Sequence, residues 1–490
     1  MNKKVIIIGA GFSGISAATK LAKEGFDVTV FEKNKTLGGR ARKLEIDGFT
    51  FDMGPSWYWM PDVFENYFKE FGTSVAQQYN LIRLDPSYAV FFGKDDVFKI
   101  PANLHEFYQL FEKHEPGSSI ALKRFLEDAE YKYEVSMTEF VHKPSLSVWE
   151  FVDFRILNAA LKMDLFKSIS KYIRKHFKNE KLIQLLEFPV LFLGAKPNET
   201  PALYSMMNYA DIVLGTWYPM GGMGKIVDAM VNVATLQGVK FKTEENVEKI
   251  NVVNGIATSV VSNGITYEAD VIVGSADYHH IEQHLLEEKY RNYPASYWKS
   301  RKMAPSCLMY YIGLDKKVDG LEHHNLFFDA AFDLHAEEIY DRPQWPSNPL
   351  FYSTCASKTD TTVAPQGKEN LVLLIPIAVD IEDTETIREK YFEIMMGRLE
   401  YLTAQSIKKH VIVKRSYAIN DFKNDYNSFG GNAYGLANTL RQTAILKPRL
   451  KNKKVSNLYY AGQLTVPGPG VPPSIISGLV VVKEIVKSCK

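Results

Sequence analysis

The N-terminal run Val5-Ile6-Ile7-Ile8-Gly9-Ala10-Gly11-Phe12-Ser13-Gly14 constrains this chain more than any other segment. Its β-branched residues show no polar alternation, which predicts a parallel strand buried on both faces. Ile15, Ala18, Leu21 and Ala22 then recur at helical spacing between Ser13 and Glu24. Gly25 closes that helix, and Asp27-Val28-Thr29-Val30-Phe31 reads as a second strand. Strand, glycine turn, helix and strand form one βαβ unit. Within it Gly9 permits the tight turn, Gly11 lets the backbone approach a pyrophosphate, and Gly14 lets the helix pack close to the sheet. Phe12 and Ser13 open the helix, whose unpaired N–H groups favour phosphate. Glu32, with Lys33 beside it, ends the second strand where an acid can accept the hydroxyls of an adenosine ribose. The same unit serves NAD and FAD.

Two further regions complete such a domain. From Gly222 a helix pattern over Ile226 to Gln237 leads to short strands around Phe241 and over Val247 to Val253, with hairpin turns at Asn254-Gly255 and Asn263-Gly264. Ala269 to Gly274 reads as another buried strand. Near the end, Asn457 to Tyr460 reads as a strand that turns at Ala461-Gly462, and Ser474 to Lys487 as a helix. The expected fold is therefore α/β: a discontinuous Rossmann-like domain from 1–75, 218–285 and 445–490, with an α+β substrate domain from 76–102 and 286–444. Residues 103–217 form a mainly helical insertion punctuated by Pro144, Pro189, Pro197 and Pro201. Between Arg155 and Lys181 that insertion interleaves Lys162, Lys167, Lys171, Arg174 and Lys175 with Leu161, Leu165, Phe166, Ile169, Ile173 and Phe177. A basic amphipathic helix can lie on an anionic membrane; the alternative is a helix packed by its apolar face with its lysines in water.

Composition narrows the classes of partner. Lys plus Arg (58) and Asp plus Glu (57) nearly cancel, leaving no basic footprint for nucleic acid. Cys307, Cys355 and Cys489 are far apart and match no zinc or redox spacing, and no HExxH or other metal motif occurs. A reducing cytoplasm and no metal are expected. Leu371 to Val379 and Ile475 to Val482 fall well short of the ~18 apolar residues a membrane span needs.

Leu37-Gly38-Gly39-Arg40-Ala41-Arg42 follows Glu32 closely. Paired glycines pass the backbone close to a dinucleotide while a guanidinium reaches phosphate or a flavin edge. The segment resembles the second fingerprint of the FAD-dependent amine oxidase superfamily, and Phe51-Asp52-Met53-Gly54-Pro55-Ser56 resembles its next one. The likeness narrows to the bacterial phytoene-desaturase type of carotenoid desaturases. It runs through Gly215-Thr216-Trp217-Tyr218-Pro219-Met220-Gly221-Gly222 and Tyr459-Tyr460-Ala461-Gly462-Gln463 to Pro467-Gly468-Pro469-Gly470-Val471-Pro472-Pro473-Ser474.

This resemblance implies FAD as cofactor, loss of a hydride to flavin and of a proton from neighbouring carbons of a carotenoid, and an apolar channel that excludes water. Ala461, Gly462 and Gln463 would meet the pyrophosphate and ribityl region, and Val471, Pro473, Ser474 and Ile475 the flavin ring. Arg40, Arg42, Gly54, Pro55, Ser56 and Val247 would join the cofactor set. Two segments depart from the usual pattern, Ser56-Trp57-Tyr58-Trp59-Met60 and Gln463-Leu464-Thr465 with Pro472-Pro473. They permit a specialised relative such as a 3,4-desaturase of 1-hydroxycarotenoids. Trp57, Tyr58, Trp59, Tyr204, Met207, Trp217 and Tyr218 are the expected substrate-lining residues. Asp211 is the proton acceptor expected from an acid in an apolar stretch. Electrons would leave to oxygen or a quinone, and the protein would sit peripherally on the cytoplasmic membrane. A flavin amine oxidase, a carotenoid isomerase and a non-catalytic prenyl-lipid carrier remain alternatives on the same scaffold.

Overall fold

The computed structural model describes residues 3–147, 150 and 167–489. Its first layer is a five-stranded parallel sheet ordered Leu458–Tyr460, Val271–Gly274, Lys4–Ile8, Asp27–Phe31, Lys240–Lys242. Ile6, Ile7 and Ile8 lie between partners on both sides, Ile272 to Gly274 and Thr29 to Phe31, so the unbroken apolar run is explained by burial on both faces. The glycine turn therefore opens at the C-terminal edge of a central strand, where parallel sheets bind ligands.

The first helix runs Phe12–Lys23, and Gly25 beyond it has φ +89°. The final helix runs Val471–Cys489 and so starts three residues before the expected Ser474. Pro472 and Pro473 are tolerated because the first-turn N–H groups of a helix have no intrahelical partner. The two helices cross tightly: a β-carbon on Gly478 would lie 2.4 Å from the Ser13 carbonyl oxygen, and Ser16 Oγ donates to the Ile475 carbonyl at 2.8 Å. Both Asn-Gly turns have left-handed residues, with φ of 50° and 75° at Asn254-Gly255 and 49° and 74° at Asn263-Gly264. They join the three strands Val247–Val253, Ile256–Ser262 and Ile265–Glu268.

The second layer is a seven-stranded, mostly antiparallel sheet ordered Val411–Tyr417, Ser306–Leu314, Glu369–Ile377, Phe351–Thr354, His324–Phe327, Tyr88–Gly93, Asp96–Ile100. One face packs Leu308, Tyr310, Leu373 and Ile375 against the helix Glu385–Thr403 in a separate apolar core. The other face carries the cross-strand row Met309, Leu374, Tyr352 toward the first layer. Among the described residues of the insertion, the helix Ile169–His176 buries Ile169 and Ile173 while Lys171, Arg174 and Lys175 are exposed. The expected basic segment over 155–166 lies outside the described residues. No helix among the described residues is long and apolar enough to cross a membrane.

Candidate active site

A single cavity of about 780 Å³ runs from the glycine turn to the face of the seven-stranded sheet. At the turn, Gly9 has φ +102°, and a β-carbon there would meet the Ala276 nitrogen at 2.9 Å. A β-carbon on Gly14 would lie 2.1 Å from the Gly9 carbonyl oxygen, yet one on Gly11 would meet nothing within 4 Å. Gly11 thus faces open space at the start of a helix that has no acidic residue in its first turn and no side-chain cap. Such an end attracts phosphate through its N–H groups and dipole. Gly39 closes on it from the second glycine pair, since its β-carbon would approach the Gly11 Cα at 3.2 Å. Gly462, with φ +118°, approaches Ser13 from the last strand.

Glu32 is buried beside the same turn. One carboxylate oxygen accepts from the Ala10 N–H at 2.9 Å, and the other from the Asn34 backbone and side chain at 2.9 Å each. Lys33 and Val247 also line this end of the cavity. Arg40 lines the wall further along, donating to Ser428 Oγ and to the Asn432 carbonyl at 3.2 Å each. Its Nε is buried with no hydrogen-bond partner among the described residues. A cationic group with an orphaned donor, an open glycine face and a helix N-terminus together fit the diphosphate and polar edges of a dinucleotide. Asp277, which follows the strand Val271–Gly274, also lines the cavity; burial pushes its carboxyl up to about 6. The turn Pro467-Gly468 is held from behind by Lys447, whose Nζ donates to the Pro467 carbonyl at 2.8 Å and to Asn438 Oδ1 at 3.0 Å. Lys447 is buried without an acidic partner among the described residues, and desolvation pulls its pKa down to about 7.

Toward the sheet the wall becomes aromatic and apolar. Trp57, Trp59, Met60, Tyr204, Met207, Met309 and Leu374 line it. Trp57 and Trp59 pack at 5.2 Å, and both meet Phe188. Ile445 also lines the cavity and is 37% exposed, with Leu446 beside it at 50%, so the cavity meets solvent at an apolar rim.

The expected site residues divide clearly. Gly9, Gly11, Phe12, Ser13, Glu32, Lys33, Gly38, Gly39, Arg40, Gly54, Pro55, Ser56, Val247, Gly462, Gln463, Val471, Pro473 and Ser474 all line the cavity. Gly14 and Ile475 stand behind it in the helix packing, and Arg42 turns away to pair with Asp425. Tyr58 also points away, stacking on Phe64 at 4.2 Å and bonding Tyr79 at 2.9 Å, because successive residues of an extended segment alternate sides. Trp217 bonds the Leu214 carbonyl and Tyr218 bonds Asp360. Asp211 is behind the wall rather than on it. Its carboxyl accepts from Tyr88 at 2.8 Å and from Thr216 at 2.9 Å, and Thr216 in turn accepts from Trp59 Nε1 at 2.8 Å. Desolvation raises its pKa to about 7, and these hydrogen bonds oppose the rise. Sequence reasoning missed Asp277, Cys307, Met309, Tyr352, Leu374 and Tyr434, all on the wall. Asp277 was detectable as the residue leaving a parallel strand at its C-terminal edge; Cys307, Met309, Tyr352 and Leu374 arrive by long-range strand pairing and Tyr434 from a bend after the turn Phe429–Gly431, with no local signal.

Comparison with known proteins agrees with this geometry. Residues 12–486 match the family of flavin containing amine oxidoreductases. A carotenoid 3,4-desaturase of Haloarcula japonica is 40% identical over 476 residues, covering 97% of this chain and 96% of that protein. A 4,4'-diapophytoene desaturase of Staphylococcus aureus that forms 4,4'-diaponeurosporene is 30% identical over 497 residues, covering 99% of each chain. An oxidoreductase of Methanosarcina mazei shares the fold with a TM-score of 0.66 at 18% identity, over 98% of this chain and 100% of that one.

Proposed function

The chain belongs to the flavin containing amine oxidoreductases, and on that premise we propose that it desaturates the 3,4 bond at a 1-hydroxylated acyclic end of a carotenoid. It is an FAD-dependent carotenoid desaturase, an oxidoreductase acting on CH–CH groups. The observation that carries the desaturase reading is the continuity of one cavity from a dinucleotide cradle to an aromatic, apolar wall, and the likeness to a carotenoid 3,4-desaturase supports the finer one. FAD, when bound, supplies the two-electron acceptor for a hydride.

The protein's share is to bind, orient and exclude water. Gly11, Gly39 and the opening turn of the first helix would receive the diphosphate, Glu32 the ribose hydroxyls, and Arg40 a polar edge through its unpartnered Nε. Trp57, Trp59, Met207 and Tyr204 would hold the polyene in a slot that keeps water from the reacting carbons. Asp211 acts in this scheme as a positioning residue, fixing Trp59 through Thr216. The segments 1–75, 218–285 and 445–490 would form the FAD-binding unit and 76–102 with 286–444 the substrate unit. Membrane association would supply the insoluble substrate through the apolar rim at Ile445 and Leu446. Oxygen or a quinone would reoxidise the cofactor.

Anaerobic incubation of FAD-loaded protein in liposomes, separately with phytoene, a 1-hydroxylated acyclic carotenoid and a 1-hydroxylated monocyclic carotenoid, tests this. Flavin bleaching with a red-shifted polyene spectrum is expected for the hydroxylated substrates. Bleaching with phytoene alone would replace the 3,4-desaturase reading by a phytoene desaturase.

A further inference from the structure

The cavity floor contains one polar group in an otherwise apolar row. Met309, Leu374 and Tyr352 are successive cross-strand partners on the sheet face that lines the cavity, and only Tyr352 ends in a hydroxyl. That hydroxyl is held between Ser56 Oγ at 2.8 Å and His324 Nδ1 at 2.7 Å. Ser56 lines the cavity as well and spends one of its three hydrogen-bonding positions on Tyr352, so the pair has capacity for another hydroxyl. His324 is fully buried, with its ring stacked on Trp57 at 4.2 Å and 10° and its Nε2 without a partner among the described residues. Burial keeps this imidazole well below its ordinary pKa, so it is neutral. A neutral histidine with one free nitrogen orients a phenol; it does not store the proton of a reaction.

Placing a phenol and an alcohol in an apolar wall, with a buried imidazole behind them, costs desolvation that a pure hydrocarbon guest never repays. We propose that Tyr352, set between Ser56 and His324, is the residue that reads a hydroxyl group on the reacting end of the polyene. The assignment rests on the desaturase reading of the site and adds the element that tells hydroxylated from plain ends. Its position suits the task, because Ser56 stands two residues beyond Gly54, whose backbone packs against that of Arg40. A hydroxyl on carbon 1, anchored there, stands two carbons from the bond to be oxidised. A site built to bond a hydroxyl rejects the analogue lacking it, because its own polar groups are then left unpaired.

The test measures binding apart from turnover. Quenching of tryptophan fluorescence in the holoprotein by an acyclic carotenoid and by its 1-hydroxylated counterpart gives an affinity ratio, with Trp57 and Trp59 as reporters in the wall. Wild type should prefer the hydroxylated probe by at least tenfold, and Tyr352→Phe should bring the ratio to about one; turnover should show the same loss in KM more than in kcat. Ser56→Ala should lower the ratio at least threefold, and it serves as the readout if Tyr352→Phe fails to load FAD. A wild-type ratio near one, or a ratio unchanged in the variant that loads FAD, overturns the assignment. A ratio that behaves as expected in a protein that oxidises neither probe would leave the hydroxyl recognition standing and remove the desaturation reading.

Discussion

Gly14 sits so tightly beneath Gly9 that a β-carbon on it would lie 2.1 Å from the Gly9 carbonyl oxygen, although Gly11 between them faces open space. Substitutions at the two positions should therefore fail in different ways. Gly11→Val should fold with the thermal stability of FAD-free wild type and lose FAD, with flavin absorbance of the purified protein falling at least tenfold. Gly14→Ala should lower stability by about 1–3 kcal/mol, the range for overpacking, whether or not flavin is present. Normal flavin uptake by Gly11→Val would move the diphosphate elsewhere.

Asp211 gives a pH signature. Its carboxyl is raised from 3.8 to about 7, so the unfolded chain releases that proton first as pH increases. The folded state thus loses stability from about pH 4 up through about pH 7 and is flat above. Asp211→Asn removes this slope, and its stability relative to wild type should rise by up to about 4 kcal/mol across the window. Denaturant melts at several pH values read this directly. Activity of Asp211→Asn should stay within tenfold of wild type, because a group that took the proton itself would cost ~10²–10⁴-fold.

Lys447 carries the opposite signature. Its pKa falls from 10.5 to about 7, so between these values the unfolded chain binds more protons and wild-type stability rises with pH. Lys447→Met lacks that rise. Its stability deficit relative to wild type should be smallest below pH 7 and grow toward pH 10, while loss of the Pro467 contact should weaken FAD retention at every pH.

Membrane contact is testable at the rim and at the basic helix separately. Replacing Ile445 and Leu446 by Asp should reduce sedimentation with neutral and anionic liposomes alike. Replacing Lys171 and Lys175 by Gln should act only on anionic ones and only at low salt. Unchanged sedimentation of the rim variant would place the contact on another surface.

The first βαβ unit was readable because its signals are local: Val5 to Ile8 needs burial on both faces, and the glycine spacing follows from the turn itself. The Asn-Gly hairpins were readable for the same reason, since left-handed residues at both corners fix the turn type. The aromatic segment was only half readable. Trp57 and Trp59 reach the cavity but Tyr58 does not, and which side faces inward depends on the bridge between Tyr58 and Trp217. Asp211 misled for a related reason. An acid in an apolar stretch signals burial, and here Tyr88 and Thr216 satisfy it behind the wall. Tyr352 gave no signal, because its role arises from register against Leu374 and from a histidine on the next strand.

The crossing of Gly478 over Ser13 has a temporal meaning for the cell. The nascent chain emerges from the ribosome at ~5–20 residues per second, so the glycine turn waits until Val471–Cys489 has been made before its covering helix exists. Cofactor loading beneath this helix is therefore a step that follows synthesis of Val471–Cys489. A chain cut anywhere before Val471 would carry the phosphate-binding turn and leave it uncapped, so damaged or unfinished copies would stay colourless and exposed to proteolysis.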